Sequence, residues 1–150
     1  MNLKEKINQD LKDAMKSGDK TRLAVVRSIR ALILEFEKSG AAKELSPEDE
    51  VKMLSTSAKK RKDSIDQFRN AGRNDLVETE EAELNILMNY LPKQLDENEI
   101  KEIVSKLAVE IGAKTKDDFP KLMPLVMKEL KGKADGKLVK SIVENILAVN

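Results

Sequence analysis

The sequence of 150 residues contains no histidine and no cysteine. Without histidine the chain has no imidazole for acid–base catalysis, and without cysteine it has no thiolate nucleophile, no disulfide and no ordinary zinc site. The side chains on which most enzyme mechanisms depend are therefore missing. The sequence predicts no cofactor, no metal site and no catalytic residue.

Aromatic residues and long apolar runs are also scarce. Aromatics make up 3% of the chain and charged residues 37%, and the abundance of Leu, Ile, Val, Ala, Lys and Glu favours helices over sheets. No segment approaches the roughly 18 consecutive apolar residues that span a bilayer, and residues 1–6 lack the apolar run of a signal peptide. We therefore expect a cytoplasmic protein that does not insert into a membrane.

Helical periodicity organises the N-terminal part of the chain into four predicted helices. They cover residues 3–17, 20–39, 47–71 and 74–91. In the first helix, Leu3, Ile7, Leu11 and Met15 recur every four residues and define the predicted buried face. The third helix begins at Ser46-Pro47-Glu48-Asp49, where a hydroxyl, a proline and two acids are typical of a helix start. Pro92 ends the fourth predicted helix, because proline has no amide hydrogen to donate within a helix.

Shorter helices follow and define a second predicted domain. The expected fold is all-α, with a helical domain of about four helices over residues 1–92 and a three-helix module over residues 93–150. Capping boxes at Asp96–Glu99 and Thr115–Asp118 open the first two helices of this module. Pro124 is expected to remove a hydrogen bond and bend the second helix, at a cost of about 3 kcal/mol unless other contacts compensate.

The segment Lys131-Gly132-Lys133-Ala134-Asp135-Gly136-Lys137, which we call the corner, joins the last two predicted helices. Gly132 can adopt the left-handed conformation that closes a helix, Asp135 can cap the next helix, and Gly136 leaves its start unobstructed. Lysines beside a helix N-terminus favour a bound phosphate or carboxylate, although Asp135 competes for the same amides. The alternative is an ordinary glycine–aspartate turn whose lysines only promote solubility.

Charge is unevenly distributed in the predicted N-terminal domain. Residues 52–73, which we call the basic stretch, contain seven basic residues and two acids, and residues 75–83 contain five acids and no base. The cluster Lys59-Lys60-Arg61-Lys62 lies within the basic stretch and offers further cations to a polyanion. The alternative is that the two segments pair with each other across an antiparallel helix turn and leave little charge for a partner.

Three motifs, taken in order along the chain, resemble a known family. They are Arg61-Lys62-Asp63-Ser64, Tyr90-Leu91-Pro92-Lys93-Gln94-Leu95 and the stretch KGKADGKLV from Lys131 to Val139. In length, helix order and motif order the whole chain resembles the YqeY family, a set of small bacterial proteins similar to the C-terminal tail of the B subunit of the tRNA-dependent amidotransferase. Pro120 and Pro124 depart from the family pattern, in which small or helix-favouring residues are expected there.

The resemblance implies an all-α protein whose C-terminal part is similar to the module that helps to hold the tRNA body in the amidotransferase, while other domains carry out the chemistry. The positions that match the family signature are Lys131, Gly132, Lys133, Ala134, Asp135 and Gly136. The family label, a carbon–nitrogen ligase with glutamine as amide donor, derives from the large enzyme. Amide transfer needs an activated nucleophile and an oxyanion hole, and the sequence shows neither arrangement.

Two hypotheses about function follow, with the ligase activity of the family label as a third. The first is a noncatalytic accessory protein that binds tRNA or another structured RNA through phosphates and shape. Its predicted contacts are Lys131, Gly132, Lys133, Asp135, Gly136, Lys137, Lys140, Lys59, Lys60, Arg61 and Lys62. Because aromatic platforms for bases are scarce, we expect sequence-tolerant and salt-sensitive binding. The second is a helical adaptor whose apolar groove receives a protein partner or an amidotransferase-related complex.

Overall fold

The computed structural model describes residues 1–40 and 44–149, and within these ranges it contains helices and no β-strand. The α-helices are α1 (Leu3–Ser17), α2 (Lys20–Lys38), α3 (Pro47–Asn70), α4 (Asn74–Met88), α5 (Glu97–Ile111), α6 (Phe119–Leu130) and α7 (Gly136–Val149). A short 3₁₀ turn, Lys116–Asp118, precedes α6. The all-α prediction is confirmed. None of the helices in the described ranges has both the length and the apolar character needed to cross a membrane.

The chain divides into two compact units, Met1–Leu91 and Pro92–Asn150, and each has its own hydrophobic core. In the N-terminal unit, α1 packs on α2 and α3 packs on α4, and α2 also contacts α4. The fully buried large side chains of this unit include Ile7, Val25, Val26, Ile29, Leu54 and Leu87. Removing these apolar surfaces from water stabilises the helices, which would be marginal in isolation.

Local capping explains where several helices begin. Ser46 caps α3, because its Oγ accepts the amide hydrogen of Asp49 at 3.1 Å, as the sequence predicted. Asp96 caps α5 by accepting the amide hydrogen of Glu99 at 2.8 Å. Thr115–Asp118 also forms the expected capping box, but the box opens the 3₁₀ turn rather than α6 itself. These bonds satisfy amides that have no partner within the helix.

The buried face of α1 differs from the predicted one at its C-terminal end. Leu3 and Ile7 are buried as expected, whereas Met15 is 59% exposed and Ala14 is fully buried instead. A step of four residues advances about 40° more than one full helical turn. Three such steps from Leu3 therefore move Met15 about 120° away from the core, while Ala14, seven residues after Ile7, returns to the buried face.

The C-terminal unit places α5, α6 and α7 around a single core. The fully buried residues of this core include Ile100, Val104, Leu122, Val126 and Val143. Helix α6 runs through Pro124 and ends at Leu130, so the proline does not terminate it. Two apolar side chains, Ile111 and Leu138, lie at helix ends and are 41% and 38% exposed. Near a helix end the neighbouring helices cover less of the surface.

Candidate nucleic-acid interface

The corner begins with a type II β-turn over residues 130–133. Lys131 has φ −54° and ψ 122°, and Gly132 has φ +75°. The turn closes where the amide of Lys133 donates a hydrogen bond to the carbonyl oxygen of Leu130 at 2.9 Å. The second central position of such a turn requires a positive φ, which glycine adopts without the steric cost of a Cβ atom. Gly132 therefore has the left-handed conformation that the sequence predicted.

Asp135 starts α7 as its cap. Its Oδ1 accepts the amide hydrogen of Lys137 at 2.9 Å, and its carbonyl oxygen accepts the amide hydrogen of Val139 at 3.0 Å. The carboxylate thus occupies part of the amide site that an anion would need. Any phosphate at the corner is therefore contacted mainly by lysine side chains and not by free helix amides.

Gln94, which lies 38 residues before Gly132 in the sequence, is hydrogen-bonded to the corner. Its Nε2 donates one hydrogen bond to the carbonyl oxygen of Gly132 at 2.7 Å and another to that of Pro92 at 2.8 Å. Beside it, the amide of Leu95 donates to the carbonyl oxygen of Lys133 at 2.8 Å. The motif around the proline and the corner are therefore bonded to each other. No local pattern around Gln94 indicates this role, and the signal that relates the two segments is their presence together among the family motifs.

The corner lysines and the next lysine along α7 are all exposed. They are Lys131, Lys133, Lys137 and Lys140. Lys140 Nζ lies 4.0 Å from Glu144 Oε1 one turn further along α7, and both side chains are exposed, so the pair contributes little. Neither Lys131 nor Lys133 forms an ion pair with any residue in the described part of the chain. These two ammonium groups are the least neutralised cations of the corner.

The cluster Lys59-Lys60-Arg61-Lys62 in the basic stretch differs from the corner, because its members are not all exposed. Lys59 and Lys60 are exposed on α3, while Lys62 is half-buried and makes contacts within the protein. Arg61 turns away from solvent, with only 15% of its side chain exposed. Its guanidinium donates hydrogen bonds to the carboxylates of Glu80, at 3.2 Å, and of Glu83 on α4.

A third contact of the same guanidinium is with Ser28 Oγ on α2, at 3.4 Å. Arg61 thereby connects α3 to α4 and α2, and the Nε of this side chain is buried without a hydrogen-bond partner among the described residues. Guanidinium groups suit such sites because their planar set of donors can bond several acceptors at once. The structure therefore places Arg61 in a partly buried network of contacts within the N-terminal unit, unlike the exposed lysines that precede it.

Further ion pairs join the basic stretch to the acids that follow it. Arg69 Nη2 lies 2.8 Å from Glu81 Oε1, and Arg73 Nη2 lies 3.0 Å from Asp75 Oδ2. The hydrogen bond between Arg73 and Asp75 raises the pKa of the arginine and lowers the pKa of the aspartate. The alternative that the sequence left open, pairing across the α3–α4 turn, is thus confirmed for Arg61 and Arg69, whereas Arg73 pairs locally with a residue two positions later.

Helix α4 stops at Met88 and not at the predicted Leu91. Just beyond its end, Tyr90 makes a polar contact that lies outside the predicted site. The hydroxyl of Tyr90 donates a hydrogen bond to Asp10 on α1, and Lys6 Nζ lies 5.2 Å from the centre of the tyrosine ring. Burial, followed by the hydrogen bond to Asp10, raises the pKa of Tyr90 well above its usual range. The phenol therefore stays protonated and keeps this bond at neutral pH.

Acidic side chains elsewhere have structural roles. Asp118 accepts the amide hydrogens of Lys114 at 2.8 Å and Thr115 at 3.1 Å, and these two bonds lower its pKa. Within residues 1–40 and 44–149, no group of three or more acidic side chains comes together in a way that could hold a metal ion. Asp118 therefore has a capping role at the turn that precedes α6.

Comparison with known proteins reveals related sequences over most of the chain. The model of a family described as "Yqey-like protein" matches residues 4–147. "Altered inheritance of mitochondria protein 41, mitochondrial" of Pyrenophora tritici-repentis is 34% identical over 146 residues, which cover 95% of this chain and 79% of the relative.

Two proteins with the same name are also similar to the chain. The one from Lachancea thermotolerans is 34% identical over 123 residues, covering 77% of this chain and 66% of the relative. The one from Saccharomyces cerevisiae is 30% identical over 138 residues, covering 85% of this chain and 68% of the relative.

These relatives correct two expectations. They are eukaryotic proteins whose names call them mitochondrial, so the expectations of a bacterial protein and of a cytoplasmic location are wrong. The reason is physical: composition and hydropathy separate water-soluble from membrane-spanning segments, but they do not distinguish one aqueous compartment from another. The family model, by contrast, matches almost the whole length, and the chain belongs to the YqeY family.

Proposed function

We propose that this protein is a noncatalytic RNA-binding protein that holds tRNA or another structured RNA at the corner. The observation that carries the proposal is the placement of Lys131 and Lys133. Both are exposed on a turn that Gln94 and Leu95 hold in shape, and neither is paired with an acid in the described chain. In this role the C-terminal unit acts like the tail module of the tRNA-dependent amidotransferase and carries out no chemistry itself.

Phosphate contacts give the proposed complex its affinity. Lysine side chains that neutralise phosphates release the counterions condensed on the RNA, so affinity falls steeply as salt rises. Lys137 and Lys140 extend the contact along the first turns of α7. Because the chain has a single tyrosine and three phenylalanines, base stacking contributes little at the corner, and recognition depends on the shape of the RNA backbone.

The basic stretch contributes less to the proposed interface than its composition suggests. Lys59 and Lys60 are exposed and free of ion pairs within the described residues, so they are proposed as additional phosphate contacts. Arg61 is left out, because Glu80 and Glu83 already occupy its guanidinium. Lys62 is half-buried and is left out as well.

Titration of fluorescent tRNA with the protein at several salt concentrations tests the proposal. The wild type should bind with an affinity that falls steeply with salt. The double variant Lys131→Gln/Lys133→Gln should bind at least about tenfold more weakly at low salt, and its slope of log affinity against log salt should be shallower by about 2, since each lost phosphate contact removes about 0.9.

Lys106→Gln is the matched control, because Lys106 is an exposed lysine of the same unit, on α5, and has no ion pair in the described chain. This variant should bind tRNA like the wild type. Undetectable binding, salt-independent binding or equal affinities for the double variant and the wild type would each refute the role of the corner.

A second candidate function, a helical adaptor for a protein partner, is favoured by exposed apolar side chains in the C-terminal unit. Leu125, Met127 and Leu138 are 42%, 39% and 38% exposed. Apolar surface of this kind can receive an amphipathic segment of another protein. Capture of partners before and after ribonuclease treatment separates the two functions. Partners that persist after digestion favour the adaptor, and partners lost with the RNA favour the corner.

A further inference from the structure

A cleft between α2 and α3 of the N-terminal unit shares one residue, Lys60, with the phosphate contacts proposed above. It has a volume of about 360 Å³, at the lower end of the range for small-ligand pockets. Leu32, Phe36 and Met53, all half-buried, provide an apolar floor. Along one side α3 presents Lys52, Thr56 and Lys60, which are exposed. The cleft therefore combines an apolar surface that includes an aromatic ring with a row of cationic and hydroxyl donors.

The charge along this side is predominantly positive. Lys52, Thr56 and Lys60 follow one another at intervals of four residues, so they share a face, and the two lysines start about 12 Å apart along the helix axis. Neither lysine forms an ion pair within the described part of the chain. The acid that lines the cleft, Asp49, is bonded to the hydroxyl and the amide of Ser46 at 2.8 and 3.1 Å, which directs its carboxylate to the start of α3.

We propose that this cleft binds a nucleoside phosphate, with the base on the floor formed by Leu32, Phe36 and Met53 and the phosphate at Lys52, Thr56 and Lys60. A flat ring suits an open cleft with an aromatic side chain in its floor, and stacking on such surfaces tolerates any base. Ammonium and hydroxyl groups are the donors that phosphate oxygens accept. An amphipathic helix would need a longer apolar groove than these few side chains provide.

The nucleoside phosphate can be a free nucleotide or an unpaired nucleotide within an RNA strand. The two lysines favour the strand. A nucleotide inside a strand has one phosphate on the 5′ side of its ribose and one on the 3′ side, and each lysine can contact one of them. The cleft belongs to the N-terminal unit and the corner to the C-terminal unit. A failure of RNA binding at the corner therefore leaves the inference about the cleft intact.

The test is a set of parallel NMR titrations of the intact protein with adenosine monophosphate, adenosine, inorganic phosphate and a four-nucleotide single-stranded RNA. The methyl resonances of Met53 and Leu32 and the ring resonances of Phe36 report on the floor. We expect adenosine monophosphate and the oligonucleotide to shift these resonances, with the oligonucleotide binding more tightly, and inorganic phosphate to leave them unchanged.

Two variants make the test specific. Lys52→Met/Lys60→Met should weaken oligonucleotide binding at least about tenfold, because each charge-assisted hydrogen bond contributes that much or more. Lys12→Met is the matched control. Lys12 is an exposed lysine of the same unit, on α1, has no ion pair in the described chain and does not line the cleft, so its loss should leave the shifts caused by adenosine monophosphate unchanged.

Three outcomes would overturn the inference. One is the absence of floor shifts with both nucleotide probes, and another is an equal effect of inorganic phosphate, which would show that the apolar floor takes no part. The third is binding of an acidic amphipathic peptide, but of neither nucleotide probe, to the same residues. If only the oligonucleotide binds, the ligand of the cleft is a nucleotide within an RNA strand. If free adenosine monophosphate binds as tightly, the ligand is a free nucleotide.

Discussion

The basic stretch and the corner are both rich in cations, but the structure uses them in opposite ways. In the basic stretch, Arg61, Arg69 and Arg73 pair with acids that follow in the sequence. In the corner, Lys131 and Lys133 are exposed without an acidic partner in the described chain, and the backbone around them is held by neutral hydrogen bonds from Gln94 and Leu95. The arginines of the basic stretch are used internally, whereas the two corner lysines are presented to solvent.

This difference shows that local net charge does not measure how many cations are available to a polyanion. A cation that already has a carboxylate partner must lose that partner, or share it, before it can bind phosphate. An exposed lysine without a partner gives up only water and counterions, whose release favours binding to RNA. By this criterion the three arginines of the basic stretch are unavailable to RNA, whereas its exposed lysines and the corner lysines are available.

Removing Arg61 should produce the largest effect on stability. Arg61→Met leaves Glu80 and Glu83, which are 25% and 18% exposed, without their cation. We expect the free energy of unfolding to fall by about 2–3 kcal/mol, measured by urea denaturation, because partly buried carboxylates lose charged hydrogen bonds and keep their desolvation cost. The affinity of the folded protein for tRNA should not change.

Arg69→Met is the matched control for this prediction. It also removes an ion pair between α3 and α4, but Arg69 and Glu81 are 56% and 48% exposed. Exposed pairs contribute less than about 1 kcal/mol. Equal losses of stability in the two variants, or a loss of tRNA affinity in Arg61→Met, would contradict the internal role of Arg61.

Much of the fold could be predicted because its signals are local. A hydroxyl three residues before an acid identified the start of α3, and Gly132 was recognised as the glycine that follows the end of α6. The buried faces were predicted less well. Met15 was assigned to the core from its spacing, and Val77, which is 7% exposed, was not identified. Which face is covered depends on the direction from which the other helices pack, and one-dimensional periodicity does not contain that information.

The candidate site shows the same division between local and distant contacts. The conformation of Gly132 and the cap formed by Asp135 could be predicted, because both depend on neighbouring residues. The contact of Gln94 with Gly132 joins positions 38 residues apart, and no capping or periodic pattern relates them. Similarly, Lys60 and Arg61 are adjacent in sequence, and only the packing of α4 against α3 makes one exposed and the other internal.

Gln94 provides the next test, because it would show whether neutral hydrogen bonds position the corner. Gln94→Met removes the donors to Pro92 and Gly132, and we expect the free energy of unfolding to fall by about 1–2 kcal/mol. Hydrogen exchange at the Leu95 amide should become faster, because its bond to Lys133 loses support. Gln94→Glu should cost more, since a carboxylate would face two carbonyl oxygens.

Gln67→Met is the control for the change of residue type, because Gln67 is exposed on α3. It should alter neither the stability nor the exchange rate at Leu95. If Gln94→Met leaves both quantities at their wild-type values, the corner keeps its shape without the glutamine, and its lysines are positioned by the turn alone.

The two glycines of the corner offer the finest comparison, because the same substitution should act in opposite directions. Gly132→Ala should reduce the free energy of unfolding by about 1 kcal/mol, since φ of +75° places an L-residue in the left-handed region. Gly136 lies in the first turn of α7, and a Cβ added there would meet Met127 Cε at an ordinary 3.8 Å. Gly136→Ala should leave stability unchanged or raise it by up to about 1 kcal/mol, because the unfolded chain loses conformational entropy. Thermal or urea unfolding measures both. A loss of stability in Gly136→Ala as large as that in Gly132→Ala would mean that the crowding of the corner, and not its backbone conformation, requires the glycines.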